Sequence, residues 1–299
     1  MRVTILVLFI LSLFHFSFIS NFGGNEDFGD HYQFSNPSAC YILPDTLYEI
    51  SGLTDIDSAH IGCVQDEKGM IFLYNLYNAQ IESHSTFYID GDYEGITKVG
   101  NDMWVLRSDG FLFRVKDYKR GNSSIRDSFD AHIPINNNEG LCFDEKNNML
   151  LIAAKGKIKE SKETRDLRFV YGFRLDSLLM IDTAILVIDI NDISTKMAEK
   201  KIRLPQTSTK SGEIKDGKLK FMPSSIAIHP INDRYYILSA VDGLLVIFNR
   251  NGKVEDVHLL SRELFPKPEG LTFLPNGDMF ISNEGKGGEP TLLRFNYIK

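Results

Sequence analysis

The sequence reads as all-β, a ring of five four-stranded blades: a five-bladed β-propeller. Three observations carry that reading: a long repeat, short strands within each unit, and chain ends that complete one another. The repeat is a small or acidic pair followed by an apolar strand. It occurs as Ser51-Gly52-Leu53, Glu94-Gly95-Ile96, Glu139-Gly140-Leu141, Ser224-Ser225-Ile226 and Glu269-Gly270-Leu271, at spacings of 43, 45, 85 and 45 residues. A period near 45 marks a propeller blade or a similar array.

Within each unit the pattern continues as short apolar strands A to D separated by turn residues. Asn251-Gly252 and Asn276-Gly277 are hairpin turns, and helical periodicity is nearly absent. The 85-residue gap reads as one unit carrying insertions. Its strand A begins at Leu141, B runs 149–154, C runs 168–176 and D runs 184–190. A mixed-charge insertion at 155–166 separates B from C and reads as a solvated loop. A polar, Lys-rich excursion at 191–221 follows D, with one helical turn near 194–201; a degenerate sixth blade is the alternative there. The last unit supplies A, B and C only. Residues 39–44 lie just before the first A strand and can supply the missing fourth strand, which closes the ring. Residues 39–299 then form one domain behind a leader at 21–38.

The first 20 residues read as an address. Arg2 precedes a run from Val3 to Ile19 that is apolar except at Thr4, Ser12, His15 and Ser17. That suits the core of a secretory signal, with an uncleaved anchor as the rival, and implies an exported chain, periplasmic or tethered to the cell membrane. Any membrane contact is expected through that segment alone. The body is ordinary globular composition: 299 residues, 43% hydrophobic, 24% charged, formal net charge −7. An acidic chain without a basic block argues against a nucleic-acid partner. Three cysteines exclude a disulfide-stapled scaffold, and Cys63 and Cys142 sit in apolar strand patterns that suit buried free thiols. The sole tryptophan, Trp104, is expected in the core.

The candidate chemistry lies at the start of the A strands, which converge on one mouth of the channel. The pair position reads Ser51, Glu94, Glu139, Ser224 and Glu269 around the ring. Three carboxylates in one channel repel unless a cation offsets them. All-oxygen donors favour a hard divalent ion, Ca²⁺ first and Mg²⁺ second. The alternative is pairing with Arg107 and Lys155, which end strand B in two blades. Glu49, Asn283 and Glu284 are lesser metal candidates. Asp66 and Asp109 end B strands nearby, although Asp109-Gly110 and Asp242-Gly243 read first as turns. No phosphate loop, dinucleotide fingerprint, HExxH, CxxC or GxSxG is present. His229 falls at the far end of strand A from the carboxylates, His84, His132 and His258 on or near outer strands, His60 before a B strand, and His31 in the leader. No histidine base is placed beside the carboxylates.

The segments EISGL (49–53), GDYEGI (91–96), LRSDG (106–110), NEGL (138–141), IAIHP (226–230), PEGLTF (268–273) and ISNEG (281–285) together resemble the SdiA-regulated family of exported bacterial propellers. The resemblance covers residues 40–297. It implies five blades, a distant likeness to NHL-repeat propellers, a calcium ion in some members, and no known reaction. The chain departs from it at Ser225, where the fourth repeat of the family tends to have glycine, and in the 191–221 excursion. Residues and resemblance together give an exported calcium-binding propeller, a monomer that binds a small anionic ligand or a protein partner at the channel mouth. The alternative is a metal-dependent hydrolase of the esterase, lactonase or phosphodiesterase kind.

Overall fold

The computed structural model describes residues 31–118, 124–156, 163–208, 214–215 and 217–299. The expected signal or anchor at 1–20 lies outside the described residues, as does 157–162 of the first insertion. Strand β1 (Ala39–Ile42) comes before the first blade, which is β2 (Ile50–Asp57), β3 (His60–Gln65), β4 (Met70–Asn75) and β5 (Gln80–Thr86). Blade 2 is β6 (Tyr93–Val99), β7 (Asp102–Arg107), β8 (Phe111–Lys116) and β9 (Ser124–Asp130). Blade 3 is β10 (Asn138–Asp144), β11 (Met149–Ala154) and β12 (Leu167–Arg174), with β13 (Leu179–Met180) and β14 (Leu186–Asp189) both paired to β12. Helix α1 (Ile190–Glu199) and a small hairpin of β15 (Thr207–Ser208) and β16 (Ile214–Lys215) come next. Blade 4 is β17 (Ser225–Ile228), β18 (Tyr235–Ser239), β19 (Leu244–Phe248) and β20 (Val254–Leu259). Blade 5 is β21 (Pro268–Phe273), β22 (Met279–Asn283), β23 (Thr291–Phe295) and, outermost, β1.

The ring therefore has five antiparallel sheets. β1 pairs β23 from Ala39↔Arg294 to Ile42↔Thr291, so the N-terminal strand completes the last blade as expected. The first strands β2, β6, β10, β17 and β21 contact one another in sequence, and β21 returns to β2. The sixth-blade alternative does not hold. The excursion carries α1 and a two-stranded hairpin instead. The helix is also longer than the single turn expected near 194–201. Asp189 caps its N-terminus by accepting from the Asn191 amide at 2.8 Å, and Ile190, Ile193 and Met197 form its buried stripe. The return path is anchored at the turn after β18. The Asp242 carboxylate there accepts from the backbone of Lys220 and Phe221 and from the Ser239 hydroxyl at 2.8 to 3.1 Å.

Apolar layers fill the spaces between blades. Val64, Ile71, Met103 and Val105 pack between blades 1 and 2. Trp104, Leu106, Leu150 and Ile152 pack between blades 2 and 3. Leu151, Val170, Ile237 and Val246 fill the next joint, and Leu238, Leu245, Ile281 and Phe295 the one after. Each such side chain contributes about 1.5–3 kcal/mol by burial, so the joints carry much of the fold's stability. Cys63 and Cys142 are buried free thiols within these layers.

The joints also share a backbone device. In Gly52, Gly95, Gly140 and Gly270 an added Cβ would meet the neighbouring first strand, for example Leu141 Cβ at 2.6 Å from Gly95 and Ser51 O at 2.7 Å from Gly270. Blade 4 has Ser225 instead. Two residues further on, Thr54 Oγ1 accepts from the Lys98 amide, Thr97 Oγ1 from the Phe143 amide, and Thr272 Oγ1 from the Asp55 amide, each at 3.1 Å. These clasps close the joints 1/2, 2/3 and 5/1. The equivalent residues in blades 3 and 4 are Cys142 and Ala227, which offer no such acceptor.

Residues 31–38, read as the end of a linker, lie on the ring instead. The Ile298 amide donates to His31 O at 2.9 Å and the Ser38 amide to Arg294 O at 2.8 Å, while Tyr32 is buried. A single polar-looking leader hid a buried aromatic anchor.

Candidate functional site

The pair position sits in a β-bulge. In blade 2 Tyr93 opposes Arg107 and Gly95 opposes Leu106, which leaves Glu94 unpaired between them. The register slips in the same way at Glu139 and at the pairs 51–52 and 269–270. A bulge re-aims the side chain of the extra residue, which here sends the glutamates to one mouth of the channel. The charges of Glu94, Glu139 and Glu269 act on one another there.

Their partners differ. Glu139 is buried, and the Lys155 ammonium bridges both its oxygens at 2.6 and 2.8 Å. Glu269 is buried beside Lys267 at 3.2 Å, and Lys267 also pairs with Glu284. Glu94 has no cationic group within ion-pair distance among the described residues, and the Lys155 charge acts on it only from further away. The Ser51 hydroxyl lies 2.9 Å from its Oε2 and 2.9 Å from its backbone oxygen. Ser224 donates to Pro268 O at 3.2 Å.

The electrostatics follow. Burial pushes the Glu94 carboxyl up to about 8, with repulsion from Glu139, Asp92 and Glu269 adding to it and the Ser51 hydrogen bond opposing. Burial lifts Glu139 to about 7 against the pull of Lys155. Burial raises Glu269 as well, opposed by Lys267 and Lys155. Burial works against the Lys155 charge, yet Glu139, Glu269 and Glu94 hold its pKa above the ordinary lysine range. On the adjoining rim Asp66 rises to about 7, first through burial, then through Glu49, Glu284 and Glu67. Its Oδ1 is buried without a hydrogen-bond partner.

The structure thus brings Glu94, Glu139, Glu269, Ser51 and Lys155 together, with Glu284, Glu49 and Asp66 along one side. Arg107 does not join them. Its guanidinium forks onto Asp109 at 2.8 and 2.9 Å and lies over the rings of Phe111 and Phe113, so the expected Arg107–glutamate pairing is absent. Asn283 is fully buried and donates to Leu264 O and Thr291 Oγ1, away from solvent. Two members of the site escaped the sequence reading: Lys267 and Asp92. Both lie two residues before a ring glutamate, the spacing that puts side chains on one side of an extended chain.

The donor types suit a hard cation, but their arrangement seats the Lys155 ammonium on Glu139. No group of three or more His, Cys, Asp or Glu is placed to hold a metal ion among the described residues. No helix of the described residues is long and apolar enough to cross a membrane.

No protein-family model matches the chain, and no curated protein matches it in sequence. Solved structures do share its fold. The glutaminyl cyclase of Myxococcus xanthus aligns with a TM-score of 0.58 at 12% identity, over 88% of this chain and 97% of its own. A luciferin-regenerating enzyme aligns at 0.51 and 10% identity, over 88% and 96%. The chain is a β-propeller similar to these proteins. At such identities the likeness shows the fold alone, and their different activities underline that a propeller fixes no chemistry.

Proposed function

We propose that the protein is a ligand-binding propeller whose channel mouth takes a positively charged group against Glu94, Glu139 and Glu269. One observation carries this reading: Glu94 faces two other carboxylates with only a serine hydroxyl for support, and its pKa stands at about 8. A carboxyl raised that far, by burial first and by its carboxylate neighbours next, ionises only when positive charge is brought to it, and a cation supplies that charge. Calcium, the ion expected from the residue types, and a primary ammonium, the group Lys155 presents to Glu139, share this chemistry. A calcium ion requires Lys155 to leave Glu139, whereas an ammonium requires only Glu94. Export, the SdiA-regulated likeness and a protein partner, all expected from the sequence, belong to this proposal as its wider frame, and the expected anionic ligand would join it only through a cation already bound at the glutamates.

The linkage has a definite sign. Glu94 holds its proton more tightly folded than unfolded, so its contribution is present below its unfolded pKa. It is lost as pH rises through about 8. A bound cation competes with that proton. Calorimetry of the full chain with calcium chloride and with methylammonium, at pH 6 and pH 8.5, is the test. Expected is tighter binding at the higher pH and proton release on binding at the lower one, where Glu94 still carries its proton, with affinity weakened about tenfold or more in Glu94→Gln, which corresponds to about 1.4 kcal/mol. No heat with either cation at either pH overturns the reading.

Hydrolysis remains the second reading. It is favoured by one feature, the Glu94–Glu139 pair titrating near neutrality, which suits a general acid.

A further inference from the structure

The joint between blades 4 and 5 lacks both ring devices. Ser225 stands where the other blades have glycine, and Ala227 where three have the clasping threonine. Residues 31–34 reach this joint from outside. The Tyr32 ring lies among His229, Tyr236, Phe273 and Tyr297, at centroid distances from 5.7 to 6.4 Å. Its hydroxyl meets His229 Nε2 of blade 4 at 2.7 Å and donates to Gly277 O of blade 5 at 2.5 Å. One phenol therefore bridges both blades.

The hydrogen bonds assign the histidine tautomer. The backbone amides of Ile231 and Asn232 both donate to His229 Nδ1 at 3.1 Å. The ring proton is then on Nε2, donating to Tyr32, whose own proton is committed to Gly277. A second proton has only Nδ1 to go to, where two N–H groups already point. It breaks both hydrogen bonds from the Ile231 and Asn232 amides and reorients the ring that holds Tyr32. Beside this point lies a cleft walled by Phe34, Tyr236 and His258.

We propose that residues 31–34 are a strap that holds the joint between blades 4 and 5 shut, released when His229 takes up a second proton. The groups facing His229 agree with this. Tyr32 and His31 face it from the strap, Tyr236 from β18, Arg234 from the turn before β18, and Tyr297 from the C-terminal segment. Asp278, a carboxylate whose charge acts on Tyr32, is taken up by Arg294 and the Tyr297 amide. Burial, then His31 and Arg234, lower the His229 pKa from 6.5 to about 4. Because the folded value lies below the unfolded one, the strap's contribution is intact near neutral pH. It is lost as pH falls from about 6.5 to about 4.

Hydrogen exchange on the full chain tests this, with protection factors compared between two joints in the same sample. Between pH 6.5 and pH 4, protection over 229–236 is expected to fall tenfold or more. Protection over 93–107, behind the threonine clasps, stays within twofold. His229→Asn keeps an acceptor near Nδ1 but cannot ionise, and removes the pH dependence at 229–236. Tyr32→Phe keeps the ring, loses the bridge, and lowers protection at 229–236 already at pH 6.5. Equal loss at both joints, or an unchanged pH profile in His229→Asn, overturns the proposal. Should His229→Asn not fold, Tyr32→Phe decides: wild-type protection at pH 6.5 overturns it.

Discussion

The joints of the ring fall into two kinds. From blade 5 through blades 1 and 2 to blade 3, adjacent first strands are clasped by a threonine accepting a backbone amide and brought close by a glycine. From blade 3 through blade 4 to blade 5 the clasps are missing and distant side chains take their place. Arg250 of blade 4 reaches Asp144 of blade 3 at 2.8 Å, and Tyr32 bridges blades 4 and 5. The first kind is written locally and repeats with the blade. The second kind depends on residues far apart in sequence, and so can be switched or lost one joint at a time. The long excursion also lies in this second arc, between blades 3 and 4.

Breaking the Arg250 link gives the largest expected effect. Asp144 is fully buried, Arg250 also binds Asp233 at 2.5 and 3.0 Å, and its guanidinium covers the Tyr235 ring. Arg250→Met leaves the Asp144 carboxylate buried without its cation, which costs about 3–5 kcal/mol. Urea denaturation followed by circular dichroism reads it. A loss under about 1 kcal/mol shows that joint 3/4 rests on its apolar layer alone.

Thr97→Val is the matching break in the first arc. Valine keeps the shape and removes the acceptor, so the Phe143 amide loses its partner in a buried strand. The expected cost is about 1–2 kcal/mol, smaller because an unpaired amide is less costly than an unpaired charge. The same denaturation experiment checks it. A larger loss than for Arg250→Met reverses the ranking of the two arcs.

The contrast also accounts for what could be read in advance. Blade number, strand order and closure by residues 39–42 were legible because the repeat writes them five times and the strand patterns agree with it. The glutamate ring was legible because the repeated Glu-Gly pair marks the bulge in blades 2, 3 and 5. The clasping threonines were present in the same repeat, two residues after the glycine of the pair, but an exposed strand threonine and a clasping one look alike until a neighbouring blade supplies the amide. Lys267 and Arg107 show the limit more sharply. Lys267, two residues before Glu269, turns toward it, whereas Arg107, which strand pairing sets opposite Tyr93 beside Glu94, is drawn off by Asp109. Helix α1 was underestimated because its stripe is three residues long and sits in a polar setting. Tyr32 was illegible for a different reason: its partners, His229 and Gly277, are 197 and 245 residues away, and no pattern links them.

If the clasp is a portable device, it can be written into the arc that lacks it. In the three clasped joints the threonine is the third residue after the pair position, and the donating amide is the fourth after the pair position of the next blade. At joint 4/5 those rules select Ala227 and the amide of Phe273. Ala227 is buried at the end of the first strand of blade 4, facing the layer that contains Leu271 and Phe273. Ala227→Thr adds a hydroxyl and a methyl there. If the strand spacing at joint 4/5 matches the others, the new acceptor stabilises the protein by about 0.5–1 kcal/mol, the net worth of one hydrogen bond. It also makes hydrogen exchange over 229–236 less sensitive to Tyr32→Phe. If instead Ser225 holds the two strands apart, the hydroxyl finds no amide and the variant loses about 1 kcal/mol or more. Thermal melting of Ala227→Thr with and without Ser225→Gly separates these cases, because only in the second does the glycine convert a loss into a gain.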